Sequence, residues 1–262
     1  MALAELSIDV VTGIARVTIN RPEVLNAIDV PTARAIHDAV VPLAKRDDVR
    51  CVVLSGAGRA FVAGGDLARF AEDFDAAAGV VGQLLDALDP VVETLNTLSA
   101  PVVASVHGAV AGAGLSLMAA CDLVVAAEGT RFLVAYDRIG AAPDCGGTWF
   151  LPRRIGYRQA MAFMLTGQAW SCEQALTFGL VDKVVAGHAL ADETASIAKR
   201  IAAGPTKAYG NFKRLMRVAG SNDLGAQLSA ERAAFCEATR TEDFREGVGA
   251  FLEKRAPNFQ GR

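Results

Sequence analysis

Residues 102–121 read VVASVHGAVAGAGLSLMAAC. Val102 to Val106 is a short run rich in β-branched side chains, which suit a pleated strand. Gly108, Gly112 and Gly114 then break the run as a turn, and from Gly114 to Cys121 the pattern is that of a helix. A membrane span is the competing reading. These 20 residues hold no Asp, Glu, Lys or Arg, and Gly108 and Gly112 stand in GxxxG spacing. The glycines in mid-stretch, the polar atoms of Ser105, His107 and Ser116, and the lack of close basic flanks argue against it. The stretch is a strand, a glycine turn and a helix.

The same order recurs on either side. Downstream, Asp122 to Ala126 reads as the next strand. Upstream, the apolar strand Arg50 to Ser55 leads into GAGRAFVAGGDL and a helical pattern over Leu67 to Asp73. A longer amphipathic helix covers Gly79 to Leu98. At the start, Ser7 to Val11 and Ile14 to Asn20 read as strands joined across Thr12-Gly13, with a turn at Asn20-Arg21-Pro22-Glu23. Asp29 is placed to cap a helix that has Pro31 in its first turn and ends near Lys45. Ser171-Cys172-Glu173-Gln174 fits a capping box, Gly179 suits that helix's end, and Leu180 to Val185 reads as one more strand. Past Ala186 the pattern is nearly all helical, broken at Gly204-Pro205 and Gly220-Ser221-Asn222. The expectation is an α/β core over residues 1–186 and a helical C-terminal region over residues 187–262.

Charge and cysteine content narrow the function classes. A net charge of -3 supplies no broad basic field, which argues against nucleic acid as a partner. Cys51, Cys121, Cys145, Cys172 and Cys236 are an odd number without a CxxC pair, as in a reduced cytoplasmic protein. His37, His107 and His188 stand too far apart in sequence for a spaced metal-ligand cluster, so no metal is expected. The opening MALAELSIDV has neither a basic region nor a long apolar one, so no secretory signal is expected.

Three segments could carry chemistry. Phe61-Val62-Ala63-Gly64-Gly65-Asp66-Leu67 and Gly108-Ala109-Val110-Ala111-Gly112-Ala113-Gly114 are glycine turns, each after an apolar strand. Such turns expose backbone N–H groups, and two converging N–H groups make an oxyanion hole. They are equally the steric requirement of a tight turn. No GxxxxGK[ST] phosphate loop occurs, and Gly56-Ala57-Gly58-Arg59-Ala60-Phe61 lacks the third glycine of a dinucleotide fingerprint. The third segment, Ala142-Pro143-Asp144-Cys145-Gly146-Gly147-Thr148-Trp149, sets a carboxylate before a helix. Asp144 there reads as an N-cap on spacing alone. Ser116 does not sit in GxSxG, so a nucleophile elbow is not expected. Asp122 reads as structural.

Taken together, the three segments resemble the crotonase superfamily, the enoyl-CoA hydratase and isomerase fold. The resemblance runs from Ile14-Ala15-Arg16-Val17-Thr18-Ile19-Asn20-Arg21-Pro22 to Phe244–Arg255, nearly the whole chain. It implies a spiral of ββα units with a helical C-terminal region that builds trimers, often paired into hexamers. By position it implies oxyanion donors at Gly65 and Ala113, and coenzyme A contacts at Ala63, Asp66, Leu67 and Lys254, the last reaching phosphates from a neighbouring subunit. Coenzyme A would arrive as the substrate thioester, with no separate cofactor and no membrane partner.

The departure from the family pattern bears on the reaction. Where hydratases of this family carry two glutamates that hold a water, this chain has Ser116 and Tyr136, neither of which is a base at neutral pH. Asp144 remains, at a place where some family isomerases use an aspartate. Pro143 to Arg153 and Phe244 to Arg262 especially resemble isomerases of the 1,2-epoxyphenylacetyl-CoA type. The resemblance therefore implies an isomerase acting on an unsaturated or ring-epoxide acyl-CoA, with Asp144 as acid and base and Phe132, Leu133, Val134 and Ile139 around it. Val134, Tyr136, Trp149 and the helix from Gly79 to Leu85 are further candidates for shaping the pocket. The alternatives are a hydratase that uses Asp144 with Tyr136 or Ser116, a thioester hydrolase, and a non-catalytic acyl-CoA-binding protein.

Overall fold

The structure is a computed structural model and describes residues 2–262. Six strands form the main sheet: β1 (Ala4–Asp9), β2 (Ile14–Ile19), β3 (Cys51–Gly56), β4 (Val102–Val106), β6 (Leu123–Ala127) and β8 (Lys183–Val185). They lie in that order; β1 and β2 are antiparallel and every later pair is parallel. A second, two-stranded parallel sheet pairs β5 (Ala109–Ala111) with β7 (Arg131–Leu133). Bridges Val62 to Val110 and Phe132 to Trp170 extend that layer.

Strand alternation divides the core in two. Val52, Leu54, Val102, Ala104, Val106, Val124 and Ala126 face one cluster, with α1 (Val30–Val40) and α3 (Ala77–Thr97). Cys51, Val53, Val103, Val125 and Ala127 face the other, against Leu190, Ile197, Ala198 and Ala202 of α8 (Leu190–Ala202). A sheet covered on both faces needs apolar residues at successive positions, which is why its strands read as continuous apolar runs. The helix α8 thus covers the sheet, although it lies past Ala186. Helices α9 (Thr206–Ala219), α10 (Leu224–Ala238) and α11 (Glu242–Glu253) follow.

Local chemistry sets the element ends. Asp29 caps α1 by accepting from the Thr32 N–H at 2.9 Å, and Val41–Lys45 continues as a 3-10 turn around Pro42. The first strand ends at Asp9, two residues before the expected Val11. There the Asp9 carboxylate accepts from the Val11 N–H and the Thr12 hydroxyl, and so turns the chain. The strand expected from Leu180 begins only at Lys183, because the N–H groups of Leu180 and Val181 both bond to the Ala175 carbonyl. The capping box is present at Ser171 and Gln174, opening α7 (Cys172–Thr177). No helix among the described residues is long and apolar enough to cross a membrane.

Candidate active site

The two glycine turns close on one another. The first, Ala63-Gly64-Gly65, leads into α2 (Leu67–Ala71); the second ends at Gly112, which caps α4 (Ala113–Ala119). Gly64 has φ +105° and Gly112 φ +50°, both in the region that favours glycine. A Cβ on Gly64 would stand 3.5 Å from the Ala111 carbonyl oxygen, and one on Gly112 would stand 3.5 Å from the Gly64 Cα.

Around the first turn the bonding leaves a gap. Ile28 N–H donates to the Gly64 carbonyl and Asp66 N–H to the Ile28 carbonyl, so Gly65 N–H has no protein acceptor among the described residues. Ala113 opens α4, where N–H groups lack an intrahelical partner. Its neighbours are engaged, Gly112 N–H with Leu133 and Ser116 N–H with Gly112, while Ala113 N–H has no protein acceptor among the described residues. The turns thus present two free donors toward one cavity, which both Gly65 and Ala113 line.

A network behind the first turn fixes it. Asn26 is fully buried with φ +58°, and its Nδ2 donates to the carbonyls of Ala57, Ala60 and Phe61 at 2.8, 2.8 and 3.0 Å. Its Oδ1 accepts from Arg21 N–H. The Arg21 guanidinium pairs with Asp66 at 2.7 Å and Asp29 at 3.3 Å. Burial opposes the charge on Asp29, but bonds from Thr32 and the Arg21 charge prevail and hold its carboxyl below the usual range. The Asp66 carboxylate is therefore occupied by Arg21 and does not line the cavity. Sequence reasoning missed Asn26; the available signal was an amide in the turn that follows Arg21, five residues on.

The cavity encloses about 340 Å³ and has Leu67, Phe70, Val81, Leu84, Leu85, Ile139 and Pro143 among its walls. Among the described residues, Tyr136 and Asp144 are its only titratable lining residues. Asp144 caps nothing with its side chain: the cap of α5 (Gly147–Ile155) is Gly146, and Asp144 instead meets Tyr136. The Tyr136 hydroxyl donates to Asp144 Oδ1 at 2.5 Å. Burial first, and the Asp144 charge second, push the phenol well above its usual range, so Tyr136 stays neutral and keeps its proton. Cys145, buried beside them at φ +49°, is likewise pushed up by burial and by Asp144.

Several expected positions lie elsewhere. Ser116 does not line the cavity but is buried beside the Tyr136 phenol, whose upward shift it partly offsets, and against Gly147, whose Cβ would come 2.6 Å from the Ser116 Oγ. Phe132 and Val134 belong to the core, Leu133 does not line the cavity, and of that set only Ile139 does. The reason is local: Arg131 to Leu133 pair with β5, and alternation turns Phe132 inward. Trp149 lies against Phe150 and under the Arg153 guanidinium instead of in the cavity. Ala63 and Leu67 line it; Lys254 is exposed at the end of α11 and does not. Val81, Leu84 and Leu85 line it, as expected for the Gly79 to Leu85 helix.

The family model described as enoyl-CoA hydratase/isomerase matches residues 9–262. The chain is 39% identical to a 1,2-epoxyphenylacetyl-CoA isomerase of Escherichia coli over 251 residues, which is 95% of this chain and 96% of that protein. It is 37% identical to a protein named probable enoyl-CoA hydratase from Rhodobacter capsulatus over 263 residues, covering all of both chains. A crystal structure of an enoyl-CoA hydratase from a Polaromonas species superposes with a TM-score of 0.91 at 32% identity, covering 98% of this chain and 99% of that one.

Proposed function

The chain belongs to the enoyl-CoA hydratase/isomerase family and has its crotonase-like fold, and we propose that within that family it is an isomerase of unsaturated or ring-epoxide acyl-CoA thioesters with Asp144 as the single acid and base. The observation that carries this reading is the bond from the Tyr136 hydroxyl to Asp144, made in the cavity that Gly65 and Ala113 also line.

The thioester oxygen accepts from the N–H groups of Gly65 and Ala113. Negative charge that develops there is met by donors already in place, which lowers the barrier to forming an enolate. With a 3-enoyl thioester, Asp144 takes the proton from C2 and the electron pair of that C–H bond delocalises onto the thioester oxygen. The same carboxyl then returns the proton to C4, the oxygen's electron pair moves back, and the double bond forms between C2 and C3. No atom is gained or lost. Tyr136 occupies one carboxylate oxygen and leaves the other for the substrate. It is a positioning residue, since a phenol that keeps its proton cannot serve as a second base.

The reaction draws on no cofactor beyond the coenzyme A thioester that is its substrate. Ala63 and Leu67 flank the cofactor end of the thioester, Asp66 holds their turn through Arg21, and Lys254 reaches coenzyme A phosphates from a neighbouring subunit. The assembly is a homotrimer or a dimer of trimers built by residues 187–262, a reading supported by exposed Phe212, Met216, Phe235, Phe251 and Leu252. The enzyme works in the cytoplasm without nucleic acid or membrane.

Replacing Asp144 by Asn tests the assignment. Acyl-CoA affinity is expected to persist while turnover falls by about 1000-fold or more, as for loss of a general base with its charge. Undiminished turnover would refute it. A hydratase that adds water to a 2-enoyl-CoA is the second reading, favoured by the hydratase names among the relatives; formation of a 3-hydroxyacyl-CoA would establish it. Binding without any product would mark a non-catalytic acyl-CoA-binding protein, and free thiol a hydrolase.

A further inference from the structure

The cavity's charge is one-sided. Asp144 lines it, and among the described residues no Lys, Arg or His does. Arg21, close to the first glycine turn, is committed to Asp66 and Asp29. A second carboxylate stands nearby on α3. Leu84 and Leu85 of that helix line the cavity, and Val92 is the residue that a Cβ on Gly146 would meet at 3.5 Å. Asp89 falls between them, four residues after Leu85 and three before Val92, and so on the same helical face. Partial burial first, then the charge of Asp144, then those of Glu93 and Asp86 on its own helix, hold the Asp89 carboxyl above its usual range.

We propose that this cavity selects a neutral acyl group and excludes one bearing a second carboxylate, with Asp144 and Asp89 as the charges that enforce the exclusion. The proposal rests on the reading of the cavity as an acyl-CoA site. A carboxylate at the far end of an acyl chain would lose water against Phe70, Leu84 and Leu85 and gain no cation in return, an uncompensated burial of charge. It would also face the Asp144 charge in the cavity wall and feel that of Asp89, which is exposed on α3 and does not itself line the cavity, and like-charge juxtaposition is a strong element of discrimination. A neutral acyl group of the same length meets neither penalty.

The probes are a saturated, unreactive acyl-CoA that ends in a carboxylate and the methyl ester of the same molecule, titrated calorimetrically into the whole protein. The ester is expected to bind about 100-fold or more tightly than the acid. Asp89→Lys is expected to shrink that ratio by about tenfold or more, through tighter binding of the acid, with ester affinity held within about threefold. Asp89→Asn, a milder change at an exposed position, is expected to move the ratio the same way by less. Equal affinity of acid and ester for the wild-type protein would overturn the proposal while leaving an acyl-CoA site intact. A ratio unmoved in both variants would overturn the part given to Asp89. Failure of the ester to bind at all would refute the acyl-CoA reading beneath the proposal, and the proposal with it.

Discussion

The Tyr136 hydroxyl and the Asp144 carboxylate form a hydrogen bond of 2.5 Å in a cavity with no other titratable wall among the described residues. The two residues are joined from different elements: Tyr136 opens the 3-10 turn Tyr136–Ile139, and Asp144 precedes α5. A short bond from a neutral donor to a carboxylate is of the stronger, charge-assisted kind. Its loss in Tyr136→Phe is expected to reduce kcat by about 10- to 100-fold, with KM little changed, since in the proposed mechanism the bond orients the base and does not hold substrate. Steady-state kinetics and a pH profile of the variant check this; a purely structural role would alter thermal stability and leave the profile in place.

Ala113 permits a test of the proposed oxyanion donors. It is the first residue of α4, a position at which proline is tolerated because the N–H lacks an intrahelical acceptor. Ala113→Pro therefore removes the donor and keeps the helix. A loss of about 100- to 1000-fold in kcat is expected, against a small change for Ala113→Gly, which retains the N–H.

Gly114 tests the approach of α4 to the segment of the first glycine turn at Val62. A Cβ there would come 2.4 Å from the Val62 carbonyl oxygen and 2.6 Å from the Val62 Cβ, neither of which is the end of a flexible side chain. Gly114→Ala is expected to destabilise the protein by about 1–3 kcal/mol through overpacking. At about 2–4 °C per kcal/mol for a chain approaching this size, calorimetry should record a clear fall in Tm.

Arg21 is the shared partner of Asp29 and Asp66, with all three side chains 10–12% exposed. Arg21→Met leaves two largely buried carboxylates unpaired. The expected cost is about 3–5 kcal/mol, the range for breaking a buried ion pair from one side. Denaturant titration reads it.

The C-terminal tail carries a pH dependence of definite sign. Hydrogen bonds from Arg255 and from the Asn258 N–H hold the Glu246 carboxyl down to about 2. A carboxyl lowered on folding adds stability that is present above its unfolded value, 4.5, and is lost as pH falls toward about 2. Amide exchange at Asn258, whose N–H donates to Glu246 at 2.7 Å, is therefore expected to lose protection between those limits, and Glu246→Gln to remove the dependence.

Much of this architecture was legible in the chain. Apolar runs closed by glycine gave the parallel strands, because burial on both faces leaves no polar alternation to obscure them. Asp29 and Ser171 were readable as caps since their bonds are local in sequence. The boundary at Leu180 was not, because its N–H is diverted to Ala175 by a helix end that leaves no mark on composition. Position in the site followed the same division. Gly65, Ala113, Tyr136 and Asp144 could be carried over from motifs. The roles of Asn26 and Arg21 depend on contacts between the segments at 21–29 and 57–66, which spacing does not reveal. Phe132 and Val134 belong to the core and not to the cavity wall, because an apolar residue beside a cavity-lining loop suits a core as well as it suits a pocket.

The central claim is that one carboxylate moves a proton along the acyl chain without adding water. Mass spectrometry of 3-enoyl-CoA and 2-enoyl-CoA incubated with the protein in deuterated water tests it directly, with Asp144→Ala run in parallel. The account predicts conversion between the two enoyl thioesters with no solvent adduct, abolished in the variant, and deuterium in the carbon chain only to the extent that the Asp144 carboxyl exchanges its proton with solvent before returning it. A 3-hydroxyacyl-CoA as the main product, or isomerisation that survives loss of Asp144, would contradict it.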